Sequence, residues 1–527
     1  MTRDANVTGT SATGTSATGE IPRLPTGIPG FDMIAGGGLP RQRATLIAGT
    51  AGSGKTIFAA QFLAGGIKEH GEAGVFVSFE DAADDIRRNV ASFGWDIPQW
   101  EKDGKWTFVD ATPVAEEPTT VIGAYDLGGL VARVEHAVRK CGAKRVALDS
   151  LNALFVQHTD TSMLRAELYR LTSALKKMGV TVVFTGERVA DYGDVTRFGI
   201  EEFVADNVVI LRNVLADERR RRTVEILKFR GAHHERGEVP FTIQERGVLV
   251  IPLTAQQLTQ SSTSTRITSG VAKLDAMCDG GFFRDSIILC SGATGAGKTL
   301  LVTQFLEGGI REGERCLLFA FEESRDQLYR NASSWGMDFE QAEKKGLLKV
   351  VNTYPHAMPM EDHLVRMRRT VEEFKPQRVA VDSLSALERV FTLRSFREFV
   401  ISFTSFLKSH QVAGLLTSTT PNLLGGGSVT EKHISTLTDS IILLRYVEVN
   451  GQVRRSIAVL KMRGSRHDHD IHEYTIDDRG MRIGSVFRGV TGILSGMHSA
   501  TGGGDDERDD RSTGDAAAND AEDEHEA

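Results

Sequence analysis

No apolar run in this 527-residue chain approaches the ~20 residues that a membrane-spanning helix needs. The first twenty residues are rich in Thr, Ser, Gly and Ala and lack the apolar core of a secretory signal, so a cytoplasmic location is expected. Cysteine is scarce. Cys141, Cys278, Cys290 and Cys316 form no CxxC pair and show no zinc-ligand spacing. Three of them lie in or beside apolar runs, where a buried free thiol is the plain reading. His233, His234, His467, His469 and His472 form no clean ligand set, so no metal beyond Mg²⁺ is expected. The folded body also lacks an excess of charge. Residues 505–527 hold eleven Asp or Glu against two Arg, while the whole chain carries only −8. A nearly neutral body argues against dedicated nucleic-acid binding. The run Arg219, Arg220, Arg221, Arg222 follows Asp217 and Glu218 in a tight turn, and reads as a solvated or inter-subunit loop.

What is present is a duplication. The segment 25–56 parallels 268–299, 79–97 parallels 321–339, RVALDSLNAL (145–154) parallels RVAVDSLSAL (378–387), and KFRG (228–231) parallels KMRG (461–464). The four blocks keep their order at an offset of about 240 residues, far longer than a solenoid repeat. The reading is a low-complexity tail over 1–19, a first domain over 20–254, a Gln/Ser/Thr-rich linker over 255–265, a second domain over 266–498, and an acidic tail over 499–527. Within each unit, short apolar β-branched runs alternate with helical patterns. That pattern predicts an α/β fold with a mostly parallel sheet covered on both faces. Near the end of each unit two long strand-like runs flank a turn, at DERRR and at Asn450-Gly451, and predict a C-terminal antiparallel hairpin.

The sharpest chemical signal is the pair of Walker A sequences. The first comprises Gly49, Thr50, Ala51, Gly52, Ser53, Gly54, Lys55 and Thr56. The second comprises Gly292, Ala293, Thr294, Gly295, Ala296, Gly297, Lys298 and Thr299. Each follows an apolar strand and opens a helix, the context the motif needs. Glycines let backbone N–H groups turn toward phosphate oxygens, and the helix N-terminus adds positive dipole. Lys55 and Lys298 supply charge to the β- and γ-phosphates, and Thr56 and Thr299 offer hydroxyls to Mg²⁺. Asp149 and Asp382 end apolar strands at the Walker B position and would share that Mg²⁺; capping the next helix is the plainer alternative. The acidic pairs Glu80/Asp81 and Glu322/Glu323 end strands beside the P-loops. There they can deprotonate or orient an attacking nucleophile, or simply favour a helix dipole. Lys228 with Arg230, and Lys461 with Arg463, fall on the same strand face, two residues apart. They can reach a γ-phosphate across a subunit boundary, or stand as solvated edge cations. Ser435 and Thr436 precede a strand, where hydroxyls usually cap or fill a turn.

Two P-loop domains in one chain, the FEE-type acidic pairs, DSLSAL, the ERRRRT turn, the KxRG strands, SWGMDF, EDHL (361–364) and HIST-LTD (433–439) together resemble the KaiC family of circadian-clock ATPases and autokinases. The resemblance covers roughly residues 20–498. It implies two tandem RecA-like domains and a homohexameric double ring with ATP and Mg²⁺ between subunits. It further implies an ATPase in the N-terminal ring, and Ser/Thr autokinase and autophosphatase activity in the C-terminal ring. By the same resemblance the phosphoacceptors fall on Ser435 and Thr436, with a further Thr at Thr430. The catalytic acids fall on Glu80/Asp81 and Glu322/Glu323, and the cations acting on a neighbour's ATP on Lys228/Arg230 and Lys461/Arg463. The function implied is a clock, timer or phospho-switch, with KaiB-like or signalling proteins as partners. Asp81 stands where the family usually has Glu, and acidic sequence replaces the peptide that docks an activating, KaiA-like partner. Two other readings share the P-loop core: a RecA- or DnaB-like motor on DNA, which predicts steep salt dependence, and an ATP-gated signalling scaffold with little turnover.

Overall fold

The computed structural model describes residues 21–112, 127–152, 161–197, 199, 201–216, 218–231, 233–252, 262–420, 434–449, 451–488, 490–491 and 499–500. The chain forms two compact units. One comprises residues 1–262 with 353–375 and 386–411, and the other comprises 263–352, 376–385 and 412–527.

Each unit is built on a nine-stranded sheet. In the first, the strands in chain order are β1 (Ala44–Gly49), β2 (Gly74–Ser78), β3 (Trp106–Asp110), β4 (Arg145–Asp149), β5 (Thr181–Glu187), β6 (Asn207–Ala216), β7 (Arg219–Phe229), β8 (Val239–Gln244) and β9 (Gly247–Val250). Their spatial order is β9-β8-β7-β6-β1-β5-β4-β2-β3. The pairings from β3 through β6 are parallel, and β6 through β9 are antiparallel. The second sheet holds β10 (Ile287–Gly292), β11 (Cys316–Ala320), β12 (Leu348–Asn352), β13 (Arg378–Asp382), β14 (Ala413–Thr419), β15 (Ser440–Val449), β16 (Gln452–Met462), β17 (His472–Asp477) and β18 (Gly480–Val486). It has the same order of equivalent strands. The expected parallel α/β sheet with an appended hairpin is therefore present twice. Each hairpin is extended by two further antiparallel strands.

The strands fold this way because both faces are buried. Along β1, Ile47 packs into one apolar cluster with Phe76, Ala147, Val183 and Val209. Its neighbours Leu46 and Ala48 pack into a second cluster with Val75, Val77, Val146 and Leu148. The period-2 alternation of side chains sends successive residues to opposite layers, so a continuous apolar run is what such a strand requires. The parallel order brings the C-terminal ends of β1, β2, β4 and β5 to one edge, where ligands bind in open α/β sheets.

Candidate functional site

The first P-loop starts where β1 ends. Gly54 adopts a left-handed conformation (φ 96°) and caps the helix Lys55–His70; its counterpart Gly297 (φ 92°) caps the helix Lys298–Arg311. A Cβ on Gly49 would lie 2.3 Å from Ser53 Oγ and 2.6 Å from the Leu211 carbonyl, so only glycine fits this turn. Ser53 Oγ is buried without a hydrogen-bond partner. Lys55 Nζ donates to the carbonyls of Gly49 and Thr50, both at 3.0 Å. Lys298 Nζ does the same with Gly292 (3.0 Å) and Ala293 (2.9 Å). Burial lowers both ammonium pKa values, opposed in each by the nearby Walker B carboxylate.

Asp149 is buried at the end of β4 and Asp382 half-buried at the end of β13, and desolvation raises the pKa of both. Thr299 Oγ1 donates to Asp382 Oδ2 at 2.7 Å, and Thr56 lies close enough to Asp149 to oppose the rise in its pKa. Thr185 and Thr417, on the neighbouring strands β5 and β14, donate to Asp149 Oδ1 and Asp382 Oδ1. The Walker A threonine and Walker B aspartate thus meet in both repeats. This hydroxyl–carboxylate set, beside a glycine cradle with an orphaned serine hydroxyl, fits a nucleoside triphosphate with a hard divalent cation.

The acidic pairs lie just past β2 and β11. Ser150 Oγ donates to Glu80 Oε1 at 3.0 Å, and Ser383 Oγ to Glu322 Oε2 at 2.9 Å. Burial raises the pKa of Glu80, with Asp149, Glu187 and Asp81 adding repulsion against the Ser150 bond. In the second repeat Glu323 is the raised carboxyl, through burial and then Asp382. Its Oε2 accepts from Asn331 at 3.2 Å. Asp81 is exposed.

Lys228 Nζ donates to the carbonyls of Glu202 (3.0 Å) and Ala205 (2.8 Å). Lys461 Nζ donates to that of Thr438 at 2.6 Å. Arg230 and Arg463 each lie one residue past the end of their strand, 3.9 Å from Asp206 and 3.8 Å from Asp439. Arg463 Nη2 also donates to the Thr436 carbonyl at 2.9 Å, so the backbone of the candidate acceptor segment is tied to the KMRG strand. Ser435 and Thr436 lie in a short helix, Ile434–Leu437, and the Thr436 side chain is exposed. The side chain of Ser435 and all of Thr430 lie outside the described residues. The arginine run is less solvated than its composition suggests: within the first compact unit Arg221 pairs with Glu361 at 2.9 Å and Glu398 at 2.6 Å.

Among the described residues no group of three or more His, Cys, Asp and Glu could hold a metal. His472 contacts Asp468 and the Gly484 carbonyl. No helix among them is long and apolar enough to cross a membrane.

Several site residues escaped the motif reading. Ser150 and Ser383 follow each Walker B aspartate directly, and that adjacency was the available signal. Glu187, at the end of β5, accepts from Asn152 Nδ2 at 3.1 Å and lies close enough to Lys55 to oppose the lowering of its pKa. Its second-repeat counterpart by strand register is Thr419, so duplication gave no hint of it.

The family model described as "ATPase: KaiC" matches residues 24–255 and again 267–486. The circadian clock protein KaiC3 of Synechocystis sp. is 62% identical over 489 residues, covering 93% of this chain and 97% of that protein. The circadian clock oscillator protein KaiC of Thermosynechococcus vestitus is 53% identical over 477 residues, covering 90% and 92%. That of Prochlorococcus marinus is 52% identical over 490 residues, covering 93% and 97%.

Proposed function

The chain belongs to the KaiC family of ATPases, and from that premise we propose that it hydrolyses ATP in its first repeat and phosphorylates itself on Ser435 and Thr436 through its second. The observation that carries the reading is the intact Lys–Thr–Asp–Glu set in both repeats, with each Walker A threonine close to its Walker B aspartate and each first glutamate held by the serine that follows that aspartate. Lys55 and Lys298 bind phosphate, and Thr56 with Asp149, and Thr299 with Asp382, would hold Mg²⁺, which offsets phosphate charge when bound.

In the first repeat Glu80 takes a proton from the water that attacks the γ-phosphorus, as the bond to the ADP oxygen breaks. Its position beside Ser150 fixes the carboxylate's direction. In the second repeat Glu322 plays the same part for a Ser or Thr hydroxyl, so the phosphoryl group passes to the side chain rather than to water. Lys228, Arg230, Lys461 and Arg463 steady the nucleotide of a neighbouring subunit in a homohexamer. Each phosphate adds about −1.5 to −2 charges near Arg463, enough to rearrange local pairing and report a state to a KaiB-like or signalling partner. The biological role that follows is a clock component or phospho-timer in the cytoplasm. The domain limits proposed are 20–254 and 266–498.

The test is phosphopeptide mass spectrometry after incubation with Mg-ATP, with Lys298→Ala as control. Phosphate on Ser435 or Thr436 that vanishes in the control is the expected result. ATP turnover without phosphate on either residue would reduce the protein to a tandem ATPase.

A further inference from the structure

The loop that leaves β5 is fastened to the first P-loop by contacts that the second repeat's sequence cannot make. One bond is common to both: the Arg188 amide donates to the Gly49 carbonyl at 3.0 Å, and the Thr420 amide to Gly292 at 3.1 Å. Beyond it the repeats diverge. Thr50 Oγ1 donates to Asp191 Oδ1 at 2.8 Å. The equivalent of Thr50 is Ala293, which has no hydroxyl. The same Asp191 oxygen accepts the Asn213 amide at 3.1 Å, and Arg212 Nε donates to the Asp191 carbonyl at 3.0 Å. Asn213 Nδ2 reaches the Gly52 carbonyl at 3.4 Å. Register pairs Gly49 with Leu211 and Gly292 with Leu444, so Asn213 corresponds to Tyr446.

The electrostatics make Asp191 more than a turn residue. Arg188 and Arg212 are only 3% and 6% exposed. Arg188 donates to the Gly193 carbonyl through Nη2, while its Nε and Nη1 are buried without partners. Arg212 is met by Glu225 at 2.5 Å and, more distantly, by Glu238. Asp191 sits between this buried cationic pair and the P-loop and is held by both.

We infer that Asp191 is a positioning residue for the first repeat's nucleotide site, fixing the P-loop through Thr50 in a way that has no counterpart at Ala293. The inference rests on the ATPase reading above. A P-loop held in its binding shape loses less freedom when phosphate arrives, so the latch acts on affinity. Glu80 takes no part in the latch, and Lys55 meets Thr50 through its carbonyl rather than its hydroxyl, so the latch acts on binding more than on turnover.

The test uses the full chain carrying Lys298→Ala, so that bound nucleotide reports on the first repeat. Equilibrium dialysis with ATP and Mg²⁺ gives Kd, and steady-state hydrolysis gives kcat. Thr50→Val, which disturbs no charge, and Asp191→Ala should each weaken ATP binding about five- to tenfold, with the kcat of Asp191→Ala within about twofold. Thr50→Ser should restore affinity. The Thr50→Val/Asp191→Ala pair should cost no more than the worse single change, because both remove one interaction. Unchanged affinity in Thr50→Val, or losses that multiply in the pair, would overturn the inference. A parent that neither binds nor hydrolyses ATP would instead sink the ATPase reading itself.

Discussion

Arg378 is fully buried, and its Nη1 donates to the Phe305 carbonyl at 3.0 Å, inside the helix that follows the second P-loop. Arg145 makes the same bond to Phe62 at 2.9 Å in the first repeat. Each guanidinium is also paired with acid, Arg378 with Glu314 and Glu312, Arg145 with Glu72. These arginines begin β13 and β4, the strands that end in the Walker B aspartates, and so tie strand to P-loop helix. Removing one partner of a buried pair strands the other, at about 3–5 kcal/mol. Arg378→Met should therefore destabilise the second repeat by no more than that order, because Glu314 (8% exposed) keeps its ion pair with Arg284. Urea unfolding followed by hydrogen exchange in each repeat checks this: protection should fall around the helix Lys298–Arg311 and stay unchanged around Lys55–His70. Equal loss in both would show that the pair does not act locally.

The Walker B aspartates trade stability for binding. Burial raises the folded-state pKa of Asp382 above its ordinary value of 3.8. Between those two values the folded state binds more protons than the unfolded one, so stability falls as pH rises through that window and stays lower above it. Asp382→Asn removes the penalty while keeping the side chain's shape. The expected result is a higher melting temperature at neutral pH without nucleotide, together with loss of the extra stabilisation that Mg-ATP gives the parent. Calorimetry with and without Mg-ATP measures both. A lower melting temperature in nucleotide-free Asp382→Asn would refute the argument.

The P-loops, Walker B aspartates and parallel strands were legible because each is a local pattern: glycines at fixed spacing, a carboxylate ending an apolar run, β-branched residues buried on both faces. Duplication made them more so, since every block occurs twice in order. What could not be read were contacts that depend on strand order. Thr185 reaches Asp149 because β5 lies beside β4, and Thr417 reaches Asp382 because β14 lies beside β13. Glu187 was hidden for a further reason: the second repeat has Thr419 in the corresponding position, so comparison of the halves discards it. The arginine run was read as a solvated or inter-subunit loop, and the partners of Arg221, Glu361 and Glu398, are acids far away in sequence.

The serine after each Walker B aspartate carries a prediction about pH. Glu80 must be ionised to accept a proton, and burial lifts its pKa above the ordinary 4.5. First-repeat hydrolysis should therefore decline on acidification at a higher pH than an ordinary carboxylate would give. The Ser150 hydroxyl opposes that lift by donating to the charged form. Ser150→Ala should move the acid limb to still higher pH, and Glu80→Gln should lower kcat by about 10²–10⁴-fold at every pH. Rate against pH in the Lys298→Ala background measures both effects. An acid limb that moves to lower pH in Ser150→Ala would show that the serine does not stabilise the carboxylate.

The thiols give a test of packing that needs no substrate. Cys278, Cys290 and Cys316 are fully buried, and burial pushes each thiol up to about 12. The thiolate is the reactive form, so these three are protected by access and by protonation together. Cys141 is half-buried near the end of the helix Leu127–Cys141. Native protein should consequently release one equivalent of thionitrobenzoate from Ellman's reagent at pH 8, and four after denaturation. Cys290 lies on β10 directly behind the second P-loop, and Cys316 accompanies Arg378 beneath the P-loop helix. Rapid labelling of either in native protein would mean that the second sheet opens where its nucleotide site is anchored, so that burial does not protect these thiols.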